Sequence, residues 1–495
     1  MRVLTITAPL LCLMACHPNK KAQETSAPQS EASSSFYKAD RVVKVELSGQ
    51  SFEDLRKQEP KGGHCVWGYP GSQYDWFKMS EIKVDGVSIK DIGAKKKSWC
   101  NSESKTKPSM NINFGKYQEA NDAVASQNWG TESLILNNSI QDDSYVRQCL
   151  SYELFEKAGI PSPHCNFAHL SVNGQDFGVY VNLEPMKKAF IKQRFGEPLG
   201  NLYEVGGEAF ENWALARFKI NLEGWATEDL KDIQSVIDAI RNDQSDELSS
   251  LQKVVDFDSF LSYWAMEIIL THWDGMTLGT NNSYIYFKEG KLRMLPWGTD
   301  QILARNGKRE VGQIYADNNL AKKIAQSKTW RPKLEARIAE LMNTVWKESE
   351  VLARVEQMAG QVRPHVLSGQ KGAFEKSLSN LKNNISNRRR EISSFIALGQ
   401  SPAAPGPAVA SGAEQSFPKC ERGGFTEGSA SFTYLSGTAG WGYMKLNQGA
   451  GFSCRIKSDG SANKLPFCSQ ACPTDGQSAA DWGWCSTATG FSCQD

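Results

Sequence analysis

The chain has no excess of either charge. Its 56 Lys and Arg stand against 55 Asp and Glu, a formal net charge of +1, so no global field draws it to nucleic acid or to an acidic surface. It also lacks the short motifs of several common chemistries. No G-x-S-x-G nucleophile elbow, H-E-x-x-H zinc helix, Walker A loop or G-x-G-x-x-G fingerprint occurs. Histidine is scarce, at six residues, and no activated Ser or Cys nucleophile accompanies it, which argues against a hydrolase. No C-x-x-C spacing occurs either. Cys468 and Cys472 form the tightest pair in the mature chain, so disulfides are expected in place of zinc. The apolar run at the N-terminus, Val3 to Met14, is too short to span a bilayer as a helix.

What is present begins with that run. Arg2 precedes it, and Leu13-Met14-Ala15-Cys16 resembles a bacterial lipoprotein box. Residues 1–15 are therefore expected to be a signal peptide, and Cys16 the site of lipidation. Acyl chains there would anchor the protein to a membrane, since each buried methylene contributes about 0.8 kcal/mol. His17 follows in place of Asp, which by resemblance to lipoprotein sorting points to an outer membrane or cell surface. Residues 16–41 are polar and read as a flexible tether. Setting aside Cys12 and Cys16, ten cysteines remain, four in the main body and six in the last 76 residues. Even numbers in both parts suit an oxidising compartment. Cys65 with Cys100 and Cys149 with Cys165 are candidate pairs, though sequence does not fix connectivity.

Alternation at Val42 to Leu47 opens the folded part with a strand. Lys83 to Val87 suggests a hairpin, Met110 to Phe114 a strand, and Leu170–Val172 with Phe177–Val181 flank Asn173-Gly174, a strong hairpin signal. Tyr145 to Lys157 has helical periodicity, with Gly159 placed to stop it. Helices are expected over 226–242, 255–271, 318–341, 347–366 and 373–397. The runs Lys95-Lys96-Lys97 and Arg388-Arg389-Arg390 read as solvated faces. Residues 399–416 are a Pro/Ala/Gly/Ser linker, and 417–495 a small Cys-rich module that staples would have to hold. Its Asp481-Trp482-Gly483-Trp484 faintly resembles small cellulose-binding modules, so a polysaccharide is a candidate ligand. Packing of these Trp residues over disulfides is the plainer reading.

The most informative stretch is 255–300. Phe257, Phe260, Leu261, Trp264, Ile268 and Ile269 recur at helical spacing, and a loop with Asp274, Asn281 and Asn282 follows. Tyr284 to Phe287, a Glu289-Gly290 turn and Leu292 to Leu295 predict a hairpin, with Asp300 just beyond it. Asx-turns between core elements would explain these residues without any chemistry. However, His272-Trp273-Asp274-Gly275, Asn282-Ser283-Tyr284-Ile285-Tyr286 and Leu295-Pro296-Trp297-Gly298-Thr299-Asp300 resemble the signature of the spore-coat-protein-H (CotH) kinase family: roughly N-x-D, N-Y-Y-L-Y, I-P-W-D-x-D. Upstream blocks agree in order, among them Asp143-Ser144-Tyr145-Val146-Arg147, Gly159-Ile160-Pro161 and Gly200-Asn201-Leu202-Tyr203-Glu204. His272 departs from the usual Asn, and Gly298 from the first Asp of P-W-D-x-D.

The resemblance implies an α+β, atypical protein-kinase-like two-lobe fold over 42–398, β-rich first and helical second. It implies ATP with Mg²⁺ or Mn²⁺ as cofactors, and a protein Ser/Thr hydroxyl as phosphoryl acceptor. Asp274 would be the catalytic carboxylate, Asn282 and Asp300 the metal ligands. Lys107 and Glu184 are the candidate cation and orienting carboxylate of the N-terminal lobe, and Arg147 also matches a family position. Restoring Asp at Gly298 is expected to tighten metal binding or leave it unchanged. Two other readings remain: a surface-display or adhesion lipoprotein that binds glycan, and a structural scaffold of the envelope.

Overall fold

The computed structural model describes residues 36–65, 73–196, 200–205, 210–211, 230–304 and 313–398, with strand backbone at 219–220 and at intervals from 424 to 494. Two compact units divide the chain, Met1–Pro402 and Ala403–Asp495.

In the first unit, seven strands close into a barrel: β1 (Val42–Ser48), β2 (Trp76–Val84), β3 (Val87–Lys96), β4 (Met110–Asn113), β5 (Ser133–Asn137), β6 (Cys165–Val172) and β7 (Gln175–Leu183). The order is β1-β2-β3-β4-β5-β7-β6, and β6 returns to β1 in parallel, Val42 opposite Phe167. Closure leaves no free edge. Three hairpins turn on two residues of positive φ: Asp85-Gly86, Asn173-Gly174 and Glu289-Gly290. That geometry matches the twist of paired strands. Val43, Val45, Leu47, Ile82, Ile92, Ile112, Leu134 and Leu136 fill the barrel. On β5 and β6 the opposite face is buried as well, because Ile135 and Phe167 join the second core.

That second core is built on a helix, Phe257–Leu270, in which all residues but Asp258 and Ser259 are buried. Asp256 caps its N-terminus by accepting from Ser259 N (3.2 Å), and Thr271 ends it in the left-handed region. Against it lies a sheet of order β11-β10-β8-β9: β8 (Asn201–Glu204), β9 (Lys219–Ile220), β10 (Ser283–Lys288) and β11 (Lys291–Pro296). Helices Arg147–Lys157, Trp330–Thr344, Glu348–Val362 and Lys371–Ser393 complete the layer. The first unit is thus sheet-rich in its N-terminal half and helical in its C-terminal half, as expected.

Two expectations need correction. The helix expected over 318–341 is broken into Asn319–Gln326 and Trp330–Thr344, because Ser327 Oγ accepts from Thr329 N and Trp330 N and restarts the chain (3.2 and 2.9 Å). Neither basic run lies wholly in solvent, although Arg390 is exposed. Lys96 is 3% exposed, with its ammonium on the carbonyls of Arg56 and Gln58 (3.3 and 3.1 Å). Arg388 is 1% exposed and donates to the carbonyls of Ile269 and Ile268 (2.8 and 2.5 Å). It therefore caps the C-terminal end of the Phe257–Leu270 helix, where cations are favoured.

Both expected disulfides of the first unit are formed, Cys65–Cys100 and Cys149–Cys165. The second unit carries a five-stranded antiparallel sheet of order β15-β14-β13-β12-β16: β12 (Gly424–Glu427), β13 (Ala430–Thr438), β14 (Trp441–Leu446), β15 (Ser453–Ile456) and β16 (Phe491–Gln494). Trp482, Trp484, the signal region with Cys16, and the tether up to residue 35 lie outside the described residues. Among the described residues no helix is long and apolar enough to cross a membrane.

Candidate functional site

The chain leaves the Phe257–Leu270 helix at Thr271 and folds back on itself before β10. Glu267, on the last turns of the helix, organises this loop. It is fully buried, and its carboxylate accepts from Met276 N (2.7 Å), Thr277 N (2.9 Å), Tyr263 Oη (2.7 Å) and the Thr277 hydroxyl. Burial pushes its pKa up to about 7, against the pull of these donors. The carbonyls of the same two loop residues are also satisfied, Met276 by Asn318 Nδ2 and Thr277 by Asp317 N (each 2.9 Å). The approach is close: a Cβ on Gly275 would sit 2.1 Å from Glu267 Oε1, and one on Gly279 would meet the Trp273 carbonyl at 2.7 Å.

Asp274 stands on this loop. Asn282 Nδ2 donates to its Oδ2 (2.7 Å), and Asn281 Nδ2 to its Oδ1 (3.4 Å). Asn282 takes a positive φ of 35° as the chain enters β10. With its amide nitrogen on Asp274, its Oδ1 is the atom able to face a cation. His272 joins the two ends of the site. It is buried, its Nε2 lies 3.2 Å from the Trp297 carbonyl, and the Asn282 carbonyl also faces the ring. Burial pushes its pKa down to about 4, so the ring is neutral and serves as a brace between loop and hairpin.

Beyond β11 the chain turns at Gly298 and reaches Asp300. Asn137, at the end of β5, donates to Asp300 Oδ2 (3.3 Å) and to Gln148 Oε1 (3.0 Å). The Arg147–Lys157 helix holds the turn from the other side. Ser151 bonds the Thr299 hydroxyl, and Arg147 Nη1 donates to the Ile302 carbonyl (2.6 Å). Asp300 keeps some surface open but is ringed by protein. Burial pushes its pKa up to about 6, the Asn137 bond opposes this, nearby Asp142 adds to it, and Lys97 opposes it. Lys97 follows β3 directly, with its Nζ 5.3 Å from the centre of the Trp297 ring.

Of the residues expected from sequence, Asp274 and Asn282 are joined directly, and Asp300 stands on the turn whose Gly298 packs on Asn282. Arg147 is a buried brace, paired with Asp142 (Nε to Oδ1 3.2 Å) as well as with Ile302. Lys107 and Glu184 are given separate partners. Lys107 donates to the Val179 carbonyl (2.7 Å) between the rings of Tyr145 and Tyr180, at 5.0 and 4.9 Å. Burial lowers its pKa to about 8. Glu184 accepts from His164 N (2.9 Å) and Arg194 Nη2 (3.2 Å). A cation close enough to Asp300 to lower its pKa is Lys97, hidden from sequence reasoning inside the Lys95-Lys96-Lys97 run. Glu267 was missed too, although a lone acid among Tyr263, Trp264, Ile268 and Ile269 was a visible signal.

The geometry at Gly298 bears on the expectation that an Asp there tightens metal binding or leaves it unchanged. Its φ is +56°, and a Cβ there would meet Cγ and Oδ1 of Asn282 at 2.6 Å. An Asp at this position would displace Asn282, so it would not simply add a ligand.

The donor set fits a hard divalent cation. Asp300, Asn282 and Asp274 offer oxygen, and the enclosed Asp300 carboxylate is costly to ionise without a cation beside it. Among the described residues no group of three or more His, Cys, Asp or Glu could hold a metal alone. Phosphate oxygens and water would have to complete the shell, as is usual for Mg²⁺.

A seven-stranded barrel, a buried central helix and a site of Asp and Asn oxygens define a protein of mixed helix and strand. Residues 92–392 match the family model described as CotH kinase protein, and the chain belongs to that family. It is 26% identical over 264 residues to Inner spore coat protein H of Bacillus subtilis, covering 48% of this chain and 70% of that protein. It is 22% identical over 292 residues to Invasin CotH3 of Rhizopus delemar, covering 49% and 48%. A solved Shewanella oneidensis complex of HipA, HipB and operator DNA aligns over 53% of this chain and 58% of that one, at 11% identity and a TM-score of 0.28, too low to carry an argument.

Proposed function

We propose that this chain is a metal-dependent phosphotransferase with a kinase-like two-lobe fold, moving the γ-phosphoryl group of ATP to a Ser or Thr hydroxyl of a protein. The observation that carries this is the Asp274–Asn282 bond at one end of the β10–β11 hairpin, with Asp300 on the turn that closes the same end. In this reading Asp274 accepts the proton of the attacking hydroxyl and orients it. Asn282 holds Asp274 through its amide nitrogen and offers Oδ1 to the cation, and Asp300 supplies the anionic ligand. Lys97, whose charge reaches Asp300, would neutralise phosphate charge. Asn282 and Asp300 would hold Mg²⁺ or Mn²⁺, whose charge would offset that developing on the transferred phosphoryl group. The Arg147–Lys157 helix, tied to Thr299 and Ile302, sets the height of Asp300.

The family's own description names a kinase, and the order of helix, Asp loop, hairpin and Asp matches what phosphoryl transfer requires. Export and lipid anchoring at Cys16 belong to the same proposal. Names such as spore coat protein and invasin among the relatives suit a surface location. A polysaccharide remains the proposed ligand of the second unit.

Display with a weakened active site is the second reading, favoured by Gly298 in place of the family's Asp. The deciding experiment is incubation of the chain from residue 17 onward with γ-labelled ATP and Mg²⁺ or Mn²⁺. Label on protein that disappears in Asp274→Ala supports the phosphotransferase. No label, together with no nucleotide-dependent rise in melting temperature, ends it. Saturation at about a hundred times Kd would stabilise the fold by roughly 2.7 kcal/mol.

A further inference from the structure

We propose that Glu267 is the positioning residue of the Asp274 loop, an internal carboxylate that takes the place of a ligand and fixes where Asp274 stands. The inference rests on the phosphotransferase reading for its consequence, though not for its geometry.

The helix could have ended in apolar residues, as its neighbours Trp264, Ala265, Met266, Ile268, Ile269 and Leu270 are all buried. A fully buried carboxylate here is costly unless its oxygens are saturated. They are: Oε1 accepts from Tyr263 and the Met276 amide, and Oε2 from the amide and hydroxyl of Thr277. Two of the four donors are backbone N–H groups two and three residues beyond Asp274. The loop makes other bonds that converge on the same point. His272 N returns to the Glu267 carbonyl (2.8 Å), Gly275 N to His272 (3.0 Å), and Gly279 N and Asn281 N to the Gly275 carbonyl (2.9 and 3.2 Å). Gly275 has no side chain because Glu267 and His272 occupy the space a Cβ would need. The loop is therefore wrapped around one side chain. Without that carboxylate the Met276 and Thr277 amides would be buried donors with no acceptor.

Glu267 touches none of the groups placed near phosphate, so its loss should spare nucleotide binding and strike the step that needs Asp274 in register. A displacement of about 1 Å at such a group costs on the order of 100-fold in rate. Glu267→Gln keeps the volume but directs an NH₂ at donors. In the full chain we expect it to lower the transfer rate about 100-fold while the KM for ATP moves less than about threefold. We also expect the 272–282 segment to exchange its amide hydrogens at least about tenfold faster, with the Lys371–Ser393 helix unchanged. Should Glu267→Gln fail to fold, Thr277→Val removes one donor from Oε2 with little change of volume. It should accelerate exchange over 272–282 in the same direction, by a smaller factor.

Wild-type exchange over 272–282 in whichever of these variants folds overturns the inference, whatever the chain transfers. An equal loss of nucleotide affinity and rate also overturns it, because that pattern belongs to general disorder. Wild-type protein that transfers no phosphate removes the phosphotransferase reading instead, and the exchange measurement still decides the clamp.

Discussion

Gly298→Asp is the most discriminating substitution, because family pattern and geometry disagree about it. The pattern treats it as a repair, adding a second carboxylate two residues before Asp300. The geometry treats it as an intrusion. At φ +56° a residue with a side chain costs on the order of 1–2 kcal/mol, somewhat less for Asp. The new Cβ would also lie 2.6 Å from Cγ and Oδ1 of Asn282, well inside contact distance. Because the obstacle is the end of a flexible side chain, the backbone need not break; Asn282 moves. Its charge-assisted bond to Asp274, 2.7 Å long, then goes, and such bonds contribute about 1.5–3 kcal/mol. The sum is about 2.5–5 kcal/mol, divided between stability and the alignment of the site. Urea unfolding should show a lower midpoint, and calorimetric titration should show weaker metal-dependent ATP binding. Gly298→Ala is the control, since it carries the same Cβ without a carboxylate and should lose nearly as much. Tighter Mg-ATP binding by Gly298→Asp with unchanged stability would refute the steric reasoning and restore the family reading.

Other substitutions give separate tests. Asp300→Asn should weaken metal-dependent nucleotide binding yet stabilise the chain at pH 8. The folded carboxylate is pushed up to about 6 from 3.8, so ionisation in the fold costs nothing below pH 3.8 and its full amount above pH 6, on the order of 3 kcal/mol. Urea midpoints at pH 8 in which the variant is the less stable protein would contradict this. Arg388→Ala removes a buried cation from the Ile268 and Ile269 carbonyls and should destabilise the fold by about 3–5 kcal/mol; a change below about 1 kcal/mol would return the arginine run to the surface. His272 is neutral in the fold down to about pH 4, so its contribution is complete above pH 6.5 and lost as pH falls from there towards 4. His272→Gln should flatten that limb of the stability profile. Cys16→Ser should leave uncleaved precursor and abolish palmitate labelling, and label that survives would remove the lipid anchor.

What could be read from the sequence was what is local. The β10–β11 hairpin was visible because Tyr284–Phe287 and Leu292–Leu295 flank Glu289-Gly290, and Asn173-Gly174 marked β6–β7 equally well. The barrel was not visible. Its closure depends on Val42 lying opposite Phe167, 125 positions away, and no local pattern encodes a parallel pairing at that distance. Charges misled for a related reason. Lys95-Lys96-Lys97 and Arg388-Arg389-Arg390 look like surface by composition, yet Lys96 and Arg388 are buried on backbone carbonyls and Lys97 lies close enough to Asp300 to lower its pKa. A carbonyl that needs a donor leaves no trace in composition. Asp274, Asn282 and Asp300 were found through family resemblance, whereas Lys107 was placed by its neighbourhood to Met110–Phe114. The structure gives that lysine an aromatic slot inside the unit.

The site also explains why it draws on nearly the whole first unit. Asp300 is held from β5 by Asn137, from the Arg147–Lys157 helix through Thr299 and Ile302, and from the last helix, where Asn384 donates to the Leu303 carbonyl (2.7 Å). Asp274 is held from the central helix by Glu267 and from β10 by Asn282. Three ionisable groups here stand far from their ordinary pKa values, and in each the largest cause is burial. Two of these shifts, at Glu267 and Asp300, oppose folding at neutral pH. A scaffold selected only for stability would have replaced both carboxylates with apolar or amide side chains. In the proposed function each has a use that an envelope scaffold would lack: Asp300 as a metal ligand, and Glu267 as the acceptor that holds the Asp274 loop.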